Sequence, residues 1–407
     1  MEKLEKRNEI RISYQFDVLN ILRKGKTTIM EISRILDISF TAAKNIVDDL
    51  IEMKLIKYSD KEKEKARGRK STYIELNCNQ GVVCAIDYVS DDARIVLATV
   101  DNKIVAETAI QNVKFITNEI LNKTRDAIKE LLANLKFKNK KLLAICISSP
   151  GKIRTDNFEY VRSRKIINDD VANPVYYFAN AFKVKVEMYN DVRLGCLAEM
   201  KYGSFPKKPF NGIYIHNGFG SALSIVLNGK IYKGVNGFAG ESPYYNGKIA
   251  TEYYTYFPTL NEIEMEAKEK KIEGIVEGSR KDNWNKIIEE FENDNPKYVE
   301  IIKNNAKKNA ISLHDLLTIL DINYVVISGT ILKLGEKYID IIKEYINEFS
   351  NYQIKAEIVS SSLKDNGSIL GACHHAASIY FKSTIENIVS ERFSLVGFNV
   401  NDRDSEL

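Results

Sequence analysis

Residues 218–241 read GFGSALSIVLNGKIYKGVNGFAGE, and this glycine-punctuated stretch decides how the rest of the chain is interpreted. Its apolar run SALSIVL and the following KIY are typical of β-strands. The turn Gly218-Phe219-Gly220 before them is weak support for nucleotide binding and is equally consistent with a hairpin bend. The stretch ends with one carboxylate, Glu241, among glycines and an alanine. An isolated Glu would be explained as a helix cap, so the meaning of Glu241 depends on the surrounding sequence.

Strand-like and helical patterns alternate on both sides of this stretch, from Gln80 onward. On the N-terminal side the pattern predicts an amphipathic helix in ITNEILNKTRDAIKELLANL and strands at about 82–88, 93–100 and 103–107, in LLAICISSPG and in VKVEMYND. On the C-terminal side it predicts helices through ISLHDLLTILD and strands in NYVVISGTIL and IKAEIVSSS. The order indicates an α/β architecture of two lobes with a cleft between them.

The first 75 residues have a different pattern. TTIMEISRILDISFTAAKNIVDDLIEMKLI opens with a capping box, in which Thr28 accepts from the Glu31 N–H and the Glu31 carboxylate reaches back. Two apolar helical stripes flank a tight turn at DIS, and an earlier stripe through Phe16, Leu19 and Leu22 adds a third helix. The spacing predicts a helix-turn-helix, although an ordinary three-helix bundle would show the same stripes. The recognition helix would present outward the residues at its start, Ser39, Thr41, Ala42, Lys44 and Asn45.

The continuation IKYSDKEKEKARGRKSTYIELN favours DNA binding over the ordinary bundle. Two strand-like pieces, IKY and STYIEL, flank a basic tip, which completes a winged helix-turn-helix over residues 1–76. Glu62 and Glu64 reduce the positive charge of the tip, but its Arg-Gly-Arg can place guanidinium groups on phosphates or in a narrow minor groove. The basic residues that we expect to contact DNA in this wing are Lys65, Arg67, Arg69 and Lys70.

Composition places the protein among soluble, cytoplasmic, globular proteins. The 407 residues are 44% hydrophobic and 28% charged, and neither a secretory signal nor a run of 18 apolar residues is present. The net charge of +4 is entirely N-terminal, because residues through Glu75 include 17 basic and 13 acidic side chains, and the remainder includes 42 of each. Five scattered cysteines with no CxxC pair predict reduced, buried thiols and no disulfide framework.

The motifs, taken in order, resemble those of the ROK family of repressors and sugar kinases, and the resemblance covers nearly the whole chain. GRKSTYIELN is similar to the family's junction into the first lobe, ISSPGKI to its Pro-Gly turn, and NDVRLGCLAEMKYG to its Asn-Asp helix motif. The stretch 218–241 resembles the family's hairpin ending in Ala-Gly-Glu, and VVISGTIL and LKDNGSILGA resemble two later glycine turns. The resemblance implies an actin-like fold, with lobe I over 80–191 plus about 380–395 and lobe II over 192–380.

The resemblance also implies roles for individual residues. In the family's kinases the Asp of the Asn-Asp pair is the general base, and the Asn and the Ala-Gly-Glu glutamate hold sugar hydroxyls. The matching positions are Asp191, Asn190 and Glu241, so we expect a sugar-binding site there. Tyr244 stands where the family has a zinc-binding His, and it could offer a hydroxyl and a ring to a sugar.

Two departures from the family pattern argue against catalysis and against zinc. The kinases' phosphate loop, Asp-x-Gly-Gly-Thr, is matched here by Asp87-Tyr88-Val89-Ser90-Asp91, so side chains replace both glycines and an acid would repel polyphosphate. The family's Cys cluster after the glutamate is absent, because SPYYNGKIATEYYTYFPTL contains neither Cys nor His. We therefore expect no catalytic residue, no metal and no cofactor. His374 and His375 near the C-terminus are interpreted as packing or surface residues.

The sequence thus predicts a transcription regulator, a repressor that binds double-stranded operator DNA and a sugar or sugar phosphate effector. A homodimer or homotetramer is expected, and no membrane association. One alternative is an ATP-dependent sugar kinase that also binds DNA. Another is a DNA-binding protein whose sensor binds no ligand.

Overall fold

The computed structural model describes residues 2–59, 72–136, 141–154, 156–163, 165–166, 171–207, 210–241, 257–276, 279–350 and 355–393. The chain forms two compact units, the first comprising Met1–Asp191 with Ile369–Glu406 and the second Val192–Ser368. The sequence-based division placed the return to the first lobe at about residue 380, whereas the first unit already resumes at Ile369. Within the described ranges, no helix has the length and apolar character needed to cross a membrane.

The N-terminal segment consists of α1 (Glu2–Arg23), β1 (Thr27–Thr28), α2 (Ile29–Ile35), α3 (Phe40–Glu52), β2 (Ile56–Tyr58) and β3 (Tyr73–Leu76). β3 lies between β1 and β2 and is antiparallel to both. The predicted capping box begins α2, because Glu31 N–H donates to Thr28 Oγ1 (3.2 Å) and Thr28 N–H donates to Glu31 Oε2 (2.9 Å). Three helices with a three-stranded sheet are the elements of a winged helix-turn-helix.

The rest of the first unit up to Asp191 is built on β4 (Val82–Asp87), β5 (Ala93–Ala98), β6 (Ile104–Ile110), α4 (Asn118–Asn134), β7 (Leu142–Ser149), β8 (Lys152–Ile153), β9 (Tyr160–Arg162), α5 (Pro174–Phe182) and β10 (Lys185–Asn190). Five strands form one sheet in the order β10-β7-β4-β5-β6, in which β10, β7 and β4 are parallel and β5 is antiparallel to its neighbours β4 and β6. Every residue of β7 is buried, as expected for a strand covered on both faces.

The second unit repeats this strand arrangement. Its elements are α6 (Asp191–Tyr202), whose first residue belongs to the first unit, and then β11 (Gly212–Asn217), β12 (Ser221–Leu227), β13 (Lys230–Tyr232), α7 (Leu260–Glu269), α8 (Arg280–Glu292), α9 (Pro296–Leu320), β14 (Tyr324–Ser328), α10 (Glu336–Phe349) and β15 (Glu357–Ser360). The sheet order is β13-β12-β11-β14-β15, with β11, β14 and β15 parallel and β12 antiparallel to its neighbours β11 and β13. Such mixed sheets with helices confirm the predicted α/β class.

The C-terminal helix α11 (Gly367–Phe393) returns the chain to the first unit, where it contacts α1. The Arg23 guanidinium donates to the His374 carbonyl (3.2 Å) and to Ser378 Oγ (3.1 Å), and it lies 5.1 Å from the Phe381 ring centroid. Both His374 and His375 are buried, which agrees with a packing role rather than a surface position. All five cysteines are free, and Cys78 is partly exposed whereas the other four are buried.

Candidate functional site

The start of α3 is the first candidate site, because it presents the predicted recognition residues on one side. Ser39, Thr41, Lys44 and Asn45 are exposed and Ala42 is half-buried. The opposite face of the helix packs into the core through Ala43, Ile46, Val47 and Leu50, whose side chains are buried. The amphipathic pattern therefore fixes which face of α3 is accessible to a ligand.

Two local contacts define the chemistry of this face. Ser39 caps α3, because its Oγ accepts from the Ala42 N–H at 3.2 Å. Lys44 Nζ donates to Asp48 Oδ2 at 2.6 Å, and this hydrogen bond and charge raise the pKa of Lys44. The predicted wing residues Lys65, Arg67, Arg69 and Lys70 lie outside the described residues.

Asn190 and Asp191 lie at the carboxyl end of β10, where the strand passes directly into α6. The Asn190 side-chain amide donates to the Gly151 carbonyl (3.1 Å), which ties it to the predicted Pro-Gly turn after β7. That turn is held further by Ser163 Oγ, which donates to the Pro150 carbonyl (2.7 Å). Asp191 is the first residue of its helix, where the helix dipole favours a carboxylate.

Glu241 follows a tight turn of the second unit that contacts β12. The Leu223 N–H donates to the Gly240 carbonyl (3.0 Å), and Gly240 has a φ of +91°. A Cβ added to Gly240 would overlap the Leu223 carbonyl oxygen, so the glycine before Glu241 is required by both backbone angle and space. The buried guanidinium of Arg193 on α6 donates to the Gly237 carbonyl at 2.7 Å. These contacts give Glu241 a defined backbone position, whereas Tyr244 lies outside the described residues.

The loop that replaces the kinases' phosphate loop is filled by its own side chains. Tyr88 is fully buried, and its hydroxyl donates to Thr124 Oγ1 at 3.0 Å. The buried Asp87 carboxylate accepts from the Val89 N–H at 3.0 Å. The Lys165 ammonium donates a hydrogen bond to the Ser90 carbonyl (2.6 Å), and burial lowers the pKa of this lysine. Val89 and Ser90, which align with the two glycines of the kinases' phosphate loop, therefore carry side chains, and the Val89 N–H is bonded within this loop.

The second glycine turn forms the predicted hairpin bend, and its backbone groups bond within the second unit. Gly218 N–H donates to the Gly220 carbonyl (3.0 Å), and the Gly218 carbonyl accepts from the Leu260 N–H (2.9 Å). The Arg280 guanidinium lies 4.8 Å from the Phe219 ring centroid. The N–H of Gly218 is therefore directed into the hairpin rather than toward a nucleotide.

The residues present do not fit the structural zinc of the family. Zinc sites of that type use about four Cys or His ligands in tetrahedral array. The sequence following Glu241 up to Phe257 contains neither residue type. Among the residues that the structure describes, no group of three His, Cys, Asp or Glu side chains is placed to hold a metal ion.

Sequence reasoning missed three residues that shape these sites. Arg193 and Lys165 form hydrogen bonds with residues that are distant in the sequence. The sequence near Arg193 gives a single indication of its role, a charged residue within a helix that also contains small and apolar residues. Phe40, the first residue of α3, is a large apolar side chain exposed at the start of this helix, beside the predicted recognition residues. The sequence offered one sign of this, because Phe40 stands at the start of the helix and outside the apolar stripe that packs in the core.

Comparisons with known proteins agree with this architecture. Residues 83–378 match the profile of the ROK family. A xylose repressor from Caldicellulosiruptor bescii is 23% identical over 371 residues, which cover 84% of this chain and 89% of that protein.

Two solved structures share the fold. A ROK family transcriptional regulator, described as a homolog of the E. coli MLC protein, has a TM-score of 0.75 at 18% identity and covers 93% of this chain and 100% of its own. A ROK hexokinase from Thermus thermophilus has a TM-score of 0.61 at 17% identity and covers 74% of this chain and 99% of its own. The profile match spans most of the sequence and begins after the N-terminal segment of three helices and three strands. The chain belongs to the ROK family.

Proposed function

We propose that the protein is a DNA-binding transcriptional repressor whose ROK domain senses a sugar or sugar phosphate without phosphorylating it. The observation that carries the proposal is the exposed start of α3, presented by a winged-helix arrangement in the same chain as a ROK domain. A relative named as a xylose repressor over 84% of the chain supports it. Binding as a homodimer or homotetramer to double-stranded operator DNA is part of the proposal.

The proposed effector site uses Asn190, Asp191, Glu241 and Tyr244. Carboxylates and amides discriminate sugar hydroxyls because they accept or donate paired hydrogen bonds. The bonded side-chain amide of Asn190 and the anchored backbone at Glu241 support this assignment, since a site that distinguishes hydroxyl positions needs side chains in defined places. Xylose is the first sugar to test because of the relative's name.

Two loops support sensing without phosphoryl transfer. The segment from Asp87 to Asp91 has Val89 and Ser90 where the phosphate loop has its two glycines, and it exposes the Asp91 carboxylate. The Gly218 N–H is bonded within its own hairpin. A kinase needs several backbone N–H groups directed at the nucleotide phosphates, because these offset the phosphate charge.

The test starts from operator sequences that full-length protein selects out of random duplex DNA. Labelled operator is then titrated with protein in the presence and absence of sugars, amino sugars and their phosphates, without ATP. A sugar should change operator affinity, and Glu241→Gln should raise the sugar concentration for half the response about ten- to a hundredfold, because a charge-assisted hydrogen bond is weakened. Operator binding without sugar should stay unchanged.

The control variant is Glu269→Gln, which neutralises an exposed carboxylate at the end of α7 and should respond like the wild type. Release of DNA only when ATP and a sugar are both present, or sugar-dependent ATP turnover, would instead indicate the kinase alternative. Operator binding that no sugar changes, with no thermal shift for any sugar, would indicate a sensor without a ligand.

A further inference from the structure

The recognition face of α3 contains a large apolar side chain at its N-terminal end. Phe40 is the first helical residue and is 46% exposed, although α3 has a buried face available for apolar residues. Thr41, Lys44 and Asn45 are exposed beside it, at the helical spacing that places residues i, i+1, i+4 and i+5 on one side. N-terminal residues of a recognition helix are the ones that contact base edges in the major groove.

The one cation of this helix is already paired. α3 contains no arginine, and Lys44 is its single basic residue. Lys44 Nζ lies 2.6 Å from Asp48 Oδ2 one turn later, and both side chains are about half exposed. Guanine is recognised most often by Arg or Lys bonded to its O6 and N7. Binding to guanine would therefore require Lys44 to exchange its partner Asp48.

The remaining groups on this face match the edges of A·T pairs. The side-chain amide of Asn45 can donate an N–H to adenine N7 while its carbonyl oxygen accepts from adenine N6, in a bidentate contact. The Phe40 ring and the Thr41 methyl group are apolar surfaces, and the C5-methyl of thymine is the apolar group in the major groove. An aromatic ring that contacts this methyl group buries surface that would otherwise stay in water.

We infer that the start of α3 selects A·T base pairs, with the Phe40 ring against thymine methyl groups and Asn45 bonded to adenine. The inference rests on the proposed function and makes Phe40 and Asn45 specificity-determining residues. The wing, by contrast, would contribute mainly to affinity that is independent of base identity.

The experiment begins with the operator selected by full-length wild-type protein and replaces each thymine in turn by uracil, which deletes only the methyl group. Affinity should fall about fourfold at each thymine that Phe40 contacts, since one methyl group is lost from an apolar contact. Phe40→Ala should bind the original operator more weakly, and its affinity should no longer fall when thymine is replaced by uracil. Phe40→Leu should keep part of this fall in affinity, which we call the uracil effect. Asn45→Ala should reduce the preference for adenine at one position by about tenfold.

The matched control is Ile10→Ala, because Ile10 is an apolar residue of α1 that is 50% exposed. This variant should show the wild-type uracil effect. Wild-type binding that is sequence-selective but indifferent to uracil, or a selected half-site rich in G·C, would overturn this inference and leave the proposed function intact. The absence of any sequence-selective binding by the wild type would overturn the proposed function itself, and with it the inference.

Discussion

A single glycine determines where the backbone of Glu241 lies. Gly240 has a φ of +91°, and its carbonyl accepts from the Leu223 N–H while the Leu223 carbonyl occupies the space of a missing Cβ. Both requirements follow from the close approach of the Ala-Gly-Glu turn to β12. The residue before the proposed sugar contact is therefore restricted by sterics, independently of any sugar chemistry.

Gly240→Ala should lower the free energy of unfolding by more than about 3 kcal/mol. Two costs are summed in this variant, the strain of a left-handed backbone at alanine and the overlap of its Cβ with the Leu223 carbonyl. Gly335→Ala is the matched control, since Gly335 has a φ of +74° but no atom within 4 Å of its added Cβ. It should cost only the strain, about 1–3 kcal/mol. Urea unfolding of both variants measures the difference, and equal losses would show that the contact with Leu223 does not restrict this position.

At the scale of elements, α11 is attached to β10 by a partly buried ionisable cluster. Glu187 of β10 accepts from His375 Nε2 (2.9 Å) and from the Tyr189 hydroxyl (2.9 Å). Burial raises the pKa of the Glu187 carboxyl, but these hydrogen bonds and the nearby charges outweigh it, so the net pKa lies below the ordinary value of 4.5. The same strand ends at Asn190, so the packing of α11 supports the element that carries part of the proposed sugar site.

This cluster predicts a pH-dependent contribution to stability. Because the folded pKa of Glu187 lies below 4.5, its contribution is fully present above pH 4.5 and is lost as the pH falls through the folded value. Glu187→Gln should lower the free energy of unfolding by about 1.5–3 kcal/mol at neutral pH, and the difference from wild type should vanish in acid. Urea unfolding at a series of pH values tests this, with the exposed Glu130→Gln as control. A difference that stays constant down to about pH 3 would contradict the assignment.

At the scale of the whole molecule, two asparagines hold the chain at Pro258, which follows the sequence segment that lacks the family's Cys and His residues. The side-chain amides of Asn217 and Asn309 both donate to the Pro258 carbonyl at 3.0 Å, just after residues 242–256. Both asparagines are buried, so these bonds form away from competing water. An amide network of this kind can position a backbone segment without any metal.

Chelation should therefore leave the stability of the protein unchanged. A protein with a structural zinc loses folding free energy when the metal is removed, because metal binding contributes to folding. The melting curves of full-length protein with and without EDTA should superimpose, and elemental analysis of purified protein should find no stoichiometric zinc. One zinc per chain would contradict the inference drawn from the missing Cys and His residues.

The sequence by itself determined the features that depend on neighbouring residues. The capping box at Thr28, the buried face of α3 and the hairpin at Gly218 are local, because each is specified by side chains within a few positions. Periodicity likewise predicted strands at 82–88 and 93–100, close to the observed β4 and β5. The ordered glycine and Asn-Asp motifs were enough to indicate the family, which the profile match then established.

Only the tertiary structure decided which distant residues support the sites. The contacts of Arg193 with Gly237, of Lys165 with Ser90 and of Arg23 with α11 join segments that sequence spacing does not relate. The return of the chain to the first unit at Ile369 also depends on packing, because α11 is one continuous helix that crosses the boundary without any local signal. Hydrophobic periodicity encodes the face of an element, whereas the partner of that face is selected by the free energy of packing the whole fold.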